Sequence, residues 1–74
     1  MSKVVNLLEF PLGELGEIVE LEHHKVMFDQ FGASPGMSVV ILHQAVEWLV
    51  QIGYTQVTMG KEYLQKIKVK PASI

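Results

Sequence analysis

Cysteine is absent from the 74-residue sequence, so disulfides cannot hold the fold and thiolates cannot ligate a metal ion. No apolar run approaches the roughly 18 residues that a membrane-spanning helix needs. The opening segment, MSKVVNLLEF, lacks the apolar region and small-residue cleavage site of a signal peptide. These absences predict one small cytoplasmic domain over 1–74, stabilised by its hydrophobic core.

An excess of positive charge is also lacking, because the formal net charge at pH 7 is −2. Up to Met37 the chain has six acidic residues and two lysines, whereas the remainder has two acidic residues and four lysines. Without a basic stripe, the sequence excludes the usual nucleic-acid-binding surface. The acidic first half is either a solvated outer face or a surface that attracts cations.

Hydrophobic residues, by contrast, make up 49% of the chain, and charged residues only 19%. A domain of this size buries a limited share of its surface, roughly 60%. We therefore expect some apolar side chains to remain exposed, where they are available to a protein partner.

The clearest local signal is the stretch 28–37, FDQFGASPGM. Gly32 follows a helix-like pattern and suits the left-handed residue that closes a helix. The next turn has Pro35 at its second position and Gly36 at its third, which is typical of a type II turn. Gly32, Pro35 and Gly36 are therefore predicted to form a structural turn between a helix and a strand.

Before this turn the sequence predicts a short helical turn, a loop, one strand and one helix. Asn6 is predicted to cap a single helical turn that places Leu7 and Phe10 on one side. Gly13 and Gly16 are assigned to a loop in which both positions can adopt backbone conformations that other residues rarely adopt. A strand is predicted over 17–22 and a helix over 23–31.

After the turn the pattern changes to short strands. The sequence predicts a connecting turn over 43–47, a hairpin at Gly53-Tyr54, and a tail over 71–74. Strands are predicted over 37–42, 48–52, 55–59 and 67–70, with one helical turn over 60–66. This order predicts a mainly β fold with one short helix: a small, partly open SH3-like β-barrel of about five strands.

Three segments carry a family resemblance: PLGELGEIVELE over 11–22, FDQFGASPGMSVVIL over 28–42, and VTMGKEYLQKIKV over 57–69. Their order and spacing, across roughly 6–70, resemble the FeoA family of small cytoplasmic proteins of bacterial ferrous iron transport. The resemblance implies an SH3-like domain that acts without catalysis on a FeoB-type GTPase permease and meets the membrane only through that partner. The family's proline-containing loop between the central strands is replaced here by the shorter Ala45-Val46-Glu47-Trp48.

Candidate partner-binding residues are Trp48, Met27 and Leu49. Trp48 starts a predicted strand beside a turn, where a large ring is hard to bury fully in a small domain. Tryptophan is enriched among the residues that dominate protein–protein binding. The alternative is that Trp48 belongs to the core.

A transition-metal carrier or sensor, like the C-terminal domain of metal-dependent repressors, is the alternative function. Its candidate ligands are His23, His24, Glu20 and Glu22, although adjacent histidines on a helix diverge by about 100° and chelate poorly together. No serine has a histidine-and-carboxylate context and no phosphate-binding glycine loop occurs. We therefore expect no enzyme and no cofactor beyond weak metal binding, and leave a homo-oligomer open.

Overall fold

The described part of the protein is organised around a single sheet of six antiparallel strands. The computed structural model describes residues 3–22, 29–30 and 32–72. Of the predicted helix 23–31, only Asp29 and Gln30 are described, and both are helical; the rest, with His23, His24 and Met27, lies outside the described residues. The strands are β1 (Val5–Asn6), β2 (Gly16–Leu21), β3 (Ser38–His43), β4 (Trp48–Ile52), β5 (Thr55–Met59) and β6 (Ile67–Pro71). A 3₁₀ helix covers Leu7–Glu9 and a short α-helix, α1, covers Lys61–Leu64.

The strand order in the sheet is β1-β6-β2-β3-β4-β5. The last strand, β6, thus lies between β1 and β2, and every neighbouring pair is antiparallel. Among the described residues the sheet does not close, because β1 and β5 are its two edges. This arrangement confirms the predicted mainly β, partly open SH3-like fold.

The core lies against one face of the curved sheet. Alternate residues of a strand point to opposite faces, so β4 directs Trp48, Val50 and Ile52 inward and β6 directs Ile67 and Val69 inward. The 3₁₀ helix and α1 each add one buried leucine to this core, Leu7 and Leu64. The buried apolar side chains are Leu7, Phe10, Ile18, Ala33, Val39, Ile41, Trp48, Val50, Ile52, Met59, Leu64, Ile67 and Val69.

The predicted turn between the helix and β3 is confirmed. Gly36 has a φ of 93°, and the backbone N–H of Met37 donates to the Ser34 carbonyl at 3.2 Å. Gly32 has a φ of 74°, and its N–H donates to the Asp29 carbonyl at 3.1 Å. Both glycines occupy the left-handed region that other residues rarely adopt.

Two predictions about the ends of the chain are wrong. Asn6 precedes the 3₁₀ helix but does not cap it with its side chain; its Nδ2 instead donates to Glu9 Oε2 at 3.1 Å. Pro71 is not in a tail, because it faces Gly16 at the end of β6, and the Ala72 N–H donates to the Leu15 carbonyl at 3.1 Å. Proline is tolerated there because hydrogen-bonded and non-hydrogen-bonded pairs alternate: Ala72 with Leu15 is a bonded pair, so Pro71 with Gly16 is not, and its missing N–H is not needed toward β2.

Gly16 is a strand residue rather than the predicted loop residue. A Cβ atom added at this position would lie 2.9 Å from Phe10 Cε2 and 3.2 Å from the Lys70 carbonyl oxygen. Both distances are shorter than ordinary van der Waals contact. Glycine is therefore required because the Phe10 ring and the β6 backbone pack directly on the start of β2.

Gly16→Ala should lower the free energy of unfolding by about 1–3 kcal/mol, because the added methyl group overpacks this contact. In a Phe10→Leu background the same substitution should cost less, since the smaller side chain leaves room for the methyl group. Urea unfolding of the parent, both single variants and the double variant measures the two costs. An equal cost in both backgrounds would show that the Phe10 ring does not impose the glycine.

Candidate partner-binding surface

Trp48 lies in the core, with only 8% of its surface exposed. It faces Met59 on β5 and shares the inward face of β4 with Val50. The hypothesis of an exposed ring is therefore wrong and the alternative, a core Trp48, is confirmed, because Trp48 lies on the same buried face of β4 as Val50 and Ile52. Leu49 is half-buried on the other face of β4, and Met27 lies outside the described residues.

Other apolar side chains are exposed instead. Val46, in the middle of the loop between β3 and β4, is 92% exposed. Leu12 in the loop before β2 and Leu42 near the end of β3 are also exposed. Sequence reasoning missed all three, although Val46 lies in the segment already noted to differ from the family pattern.

Two backbone features bring these residues to the same end of β3. The Gly13 N–H donates to the Ile41 carbonyl at 2.9 Å, which places Leu12 alongside Leu42. The pairing of β3 with β4 shifts between Ile41 and His43, so Leu42 is the extra residue of a β-bulge. Because Val39 and Ile41 point into the core, strand alternation places Leu42 on the outer face, where it is exposed. The bulge leaves it without a partner residue on β4. We call Leu12, Leu42 and Val46 the β3-end surface.

Leu49 lies next to this surface, because it faces His43 across the bulge. His43 and Glu47 are exposed beside it and supply a polar border. An apolar centre with a polar border is the usual composition of a protein–protein interface.

A second, more polar region lies where β1, β6 and β2 run side by side. Lys68 Nζ and Glu22 Oε2 form an ion pair of 2.7 Å. The hydrogen bond with Glu22, and then the charge of Glu22, raise the pKa of Lys68 above its ordinary value; the charges of Glu20 and Glu9 act in the same direction. Lys68 thus balances the acidic side chains of this region. An open groove here is lined by Lys3, Val4, Val5, Asn6, Glu9, Val19, Glu20 and Lys68.

The predicted metal ligands are only partly described. His23 and His24 lie outside the described residues, Glu22 is paired with Lys68, and Glu20 is exposed on β2. Within residues 3–22, 29–30 and 32–72, no group of three or more histidine, aspartate or glutamate side chains is placed to hold a metal ion. A site that includes the two histidines stays a prediction.

The FeoA domain model matches residues 5–71 of the chain. The chain belongs to the FeoA family. The match covers all six strands, so the FeoA resemblance of the three sequence segments is confirmed. No curated protein matches the chain in sequence.

Two solved structures share this FeoA fold. One is the crystal structure of an iron uptake regulatory protein (FeoA), with a TM-score of 0.83 and 21% identity over 95% of this chain and 99% of that one. The other is a manganese-dependent transcriptional repressor, with a TM-score of 0.85 and 19% identity over 97% of this chain. The protein described here therefore spans 44% of the length of the repressor chain. At these sequence identities the two matches show that this chain has the same fold as those proteins.

No helix within the described part of this FeoA-family chain is long and apolar enough to cross a membrane. The α-helix α1, which lies wholly within the described residues, has four residues.

Trp48→Ala should lower the free energy of unfolding by about 3–5 kcal/mol, because it empties a large volume of the core. Leu49→Ala, its neighbour on the opposite face, should cost clearly less because that side chain is only half-buried. Urea denaturation followed by circular dichroism measures both. Equal and small losses would place the Trp48 ring outside the core.

The Lys68–Glu22 pair should make the free energy of unfolding depend on pH in the alkaline range. Because the folded-state pKa of Lys68 is raised above 10.5, its contribution is fully present below that value and is lost as the pH rises through the raised pKa. The pair is exposed to solvent, so the effect is small. Melting temperatures of the parent and Lys68→Gln, compared from about pH 8 to about pH 12, should differ at the lower end and converge at the upper end. A difference that persists unchanged at the alkaline end would mean that the lysine charge is not its source.

Proposed function

We propose that this FeoA-family protein is a non-enzymatic accessory of bacterial ferrous iron transport. It acts in the cytoplasm as a small interaction module on a FeoB-type permease. Family membership supports the transport setting, and the iron uptake regulatory protein with the same fold is consistent with it. The observation that carries the interaction role is the exposed, apolar β3-end surface.

The exposure of this surface is unusual for a chain with a well-filled core. Single exposed apolar residues are normal on any protein, but Leu12, Leu42 and Val46 come from neighbouring segments. Clustered exposed apolar side chains mark interaction sites. Burying them against a partner removes apolar surface from water, at about 25 cal/mol per Å².

The backbone beneath the surface is already ordered. The hydrogen bond from Gly13 to Ile41 holds the loop that contains Leu12 against β3. Leu42 is fixed because the residues on both sides of it, Ile41 and His43, pair with β4. The loop bearing Val46 is short and is closed by the buried Trp48. A partner therefore meets a preformed surface and loses little binding free energy to ordering it. In this arrangement Trp48 supports the surface from the core, and Leu49 extends it along β4.

Val46→Glu should weaken binding to permease-containing membranes by at least about tenfold, because it places a charge at the centre of an apolar contact. Tyr54→Glu is the matched control. Tyr54 is also fully exposed in a loop, but it follows β4 whereas Val46 precedes it. The five residues of β4 separate the two loops by roughly 16 Å.

Sedimentation of the protein with membranes that contain or lack the permease measures this binding. Circular dichroism confirms that both variants fold, as expected for residues outside the core. Equal binding by the parent and Val46→Glu would exclude the β3-end surface. Binding lost only in Tyr54→Glu would move the contact to the opposite end of β4.

A further inference from the structure

The outer edge of β5 is a second candidate contact surface, in addition to the β3-end surface. β5 pairs with β4 along its whole length, from Thr55 facing Ile52 to Met59 facing Trp48. No described residue pairs with its other side, since β5 ends the strand order.

The hydrogen-bond register shows which backbone groups this edge presents. The Gly53 N–H donates to the Ser38 carbonyl at 2.9 Å, so the backbone groups of Gly53 point toward β3. Backbone groups alternate in direction along a strand, and those of Ile52 therefore point toward β5. Ile52 faces Thr55, whose groups point back toward β4. By the same alternation, the N–H and C=O groups of Gln56 and Thr58 point away from β4.

β5 carries none of the features that normally protect a free edge. Exposed edge strands are usually short, charged, bulged or interrupted by proline. β5 has the sequence Thr55-Gln56-Val57-Thr58-Met59, without charge or proline, and its pairing with β4 is unbroken. The other edge, β1, has only two residues and directly follows Lys3 and Val4. The two edges therefore differ, and only β5 is suited to accept another strand.

We propose that β5 pairs antiparallel with β5 of a second copy of this chain, across a twofold axis at Val57. Gln56 of each copy then faces Thr58 of the other, and each such pair exchanges both of its N–H···O bonds. These are the residues whose backbone groups point outward. The two sheets become one continuous sheet.

The side chains of β5 favour a second copy over an unrelated strand. On the axis, each Val57 meets its own counterpart in a non-hydrogen-bonded pair, in which side chains approach most closely. Val57 is half-buried and so gains apolar cover. On the outer face, Gln56 already bonds Gln51 on β4, through Nε2 to Oε1 at 3.3 Å. Gln56 next to the second copy's Thr58 continues that row of uncharged polar side chains.

In this register no charge repulsion opposes the pairing of the two β5 strands. The nearest charged residues along the chain are Lys61 and Glu62, which follow the strand. In the proposed pairing Lys61 faces the second copy's Gly53, so like charges do not meet. The contact is smaller than a standard interface, and we expect a weak dimer that forms at high concentration.

The test is sedimentation equilibrium of the full chain from about 10 μM to about 1 mM, a range suited to weak association. The parent's average mass should rise toward that of a dimer. Thr58→Pro should associate at least tenfold more weakly, because it removes an outward N–H while leaving the β4–β5 ladder intact. Thr58→Ala keeps the N–H and should associate like the parent.

Gln56→Lys provides a second disruptive variant that does not rely on proline, because it places charges near the axis. Amide hydrogen exchange gives an independent readout: Gln56 and Thr58 should exchange more slowly as the parent's concentration rises. A parent that stays monomeric overturns the proposal. So does association that Thr58→Pro and Gln56→Lys do not weaken, or that leaves these two amides unprotected.

Discussion

The junction between β2 and β3 is the contact on which the architecture depends. Only two residue pairs connect these strands in regular register, Gly16 with Val39 and Glu17 with Ser38. They join a half made of β1, β6 and β2 to a half made of β3, β4 and β5. Gly16 faces Pro71 on its other side, so three strands meet at one residue that has no side chain.

The type II turn reinforces this junction. The Gly36 N–H donates to the Ile18 carbonyl at 2.8 Å, and the Ile18 N–H donates to the Met37 carbonyl at 2.9 Å. The turn therefore extends the β2–β3 connection where regular pairing stops. Its positive-φ glycine serves the long-range joining of the two halves as well as the local reversal of the chain.

Local signals predicted what depends on neighbouring residues. The bounds of β4 and β5 were predicted correctly, because a two-residue glycine loop and clean alternation specify a hairpin. The left-handed residues Gly32 and Gly36 were predicted from turn chemistry alone. By contrast, β1 was missed because two residues carry no periodic pattern, and it exists only through its pairing with β6.

The surface residues were harder to predict because their exposure depends on register. Alternation predicts which β4 residues share a face, but the rest of the fold decides which face points inward. That choice buried Trp48 and left Leu49 outside. The same holds for β3, where Val39 and Ile41 are buried and Leu42 lies on the outer face; the bulge that leaves Leu42 without a partner is visible only when β3 is aligned against β4. Family resemblance suggested the proposed function without locating the surface.

Regularity of pairing distinguishes the two proposed contacts. In β3 the shift between Ile41 and His43 interrupts the ladder beside the outward-facing Leu42, so a partner at the proposed surface would be recognised by side chains. β5 has no such shift, and its outward groups are those of the backbone. Backbone pairing is less selective for sequence but demands a straight strand. The two contacts also lie on different parts of the β3–β4–β5 half: one is at the end of β3, and the other runs along β5. A dimer formed through β5 would therefore leave both copies of the β3-end surface open. It would present the proposed permease partner with two of them, which would strengthen binding through effective concentration.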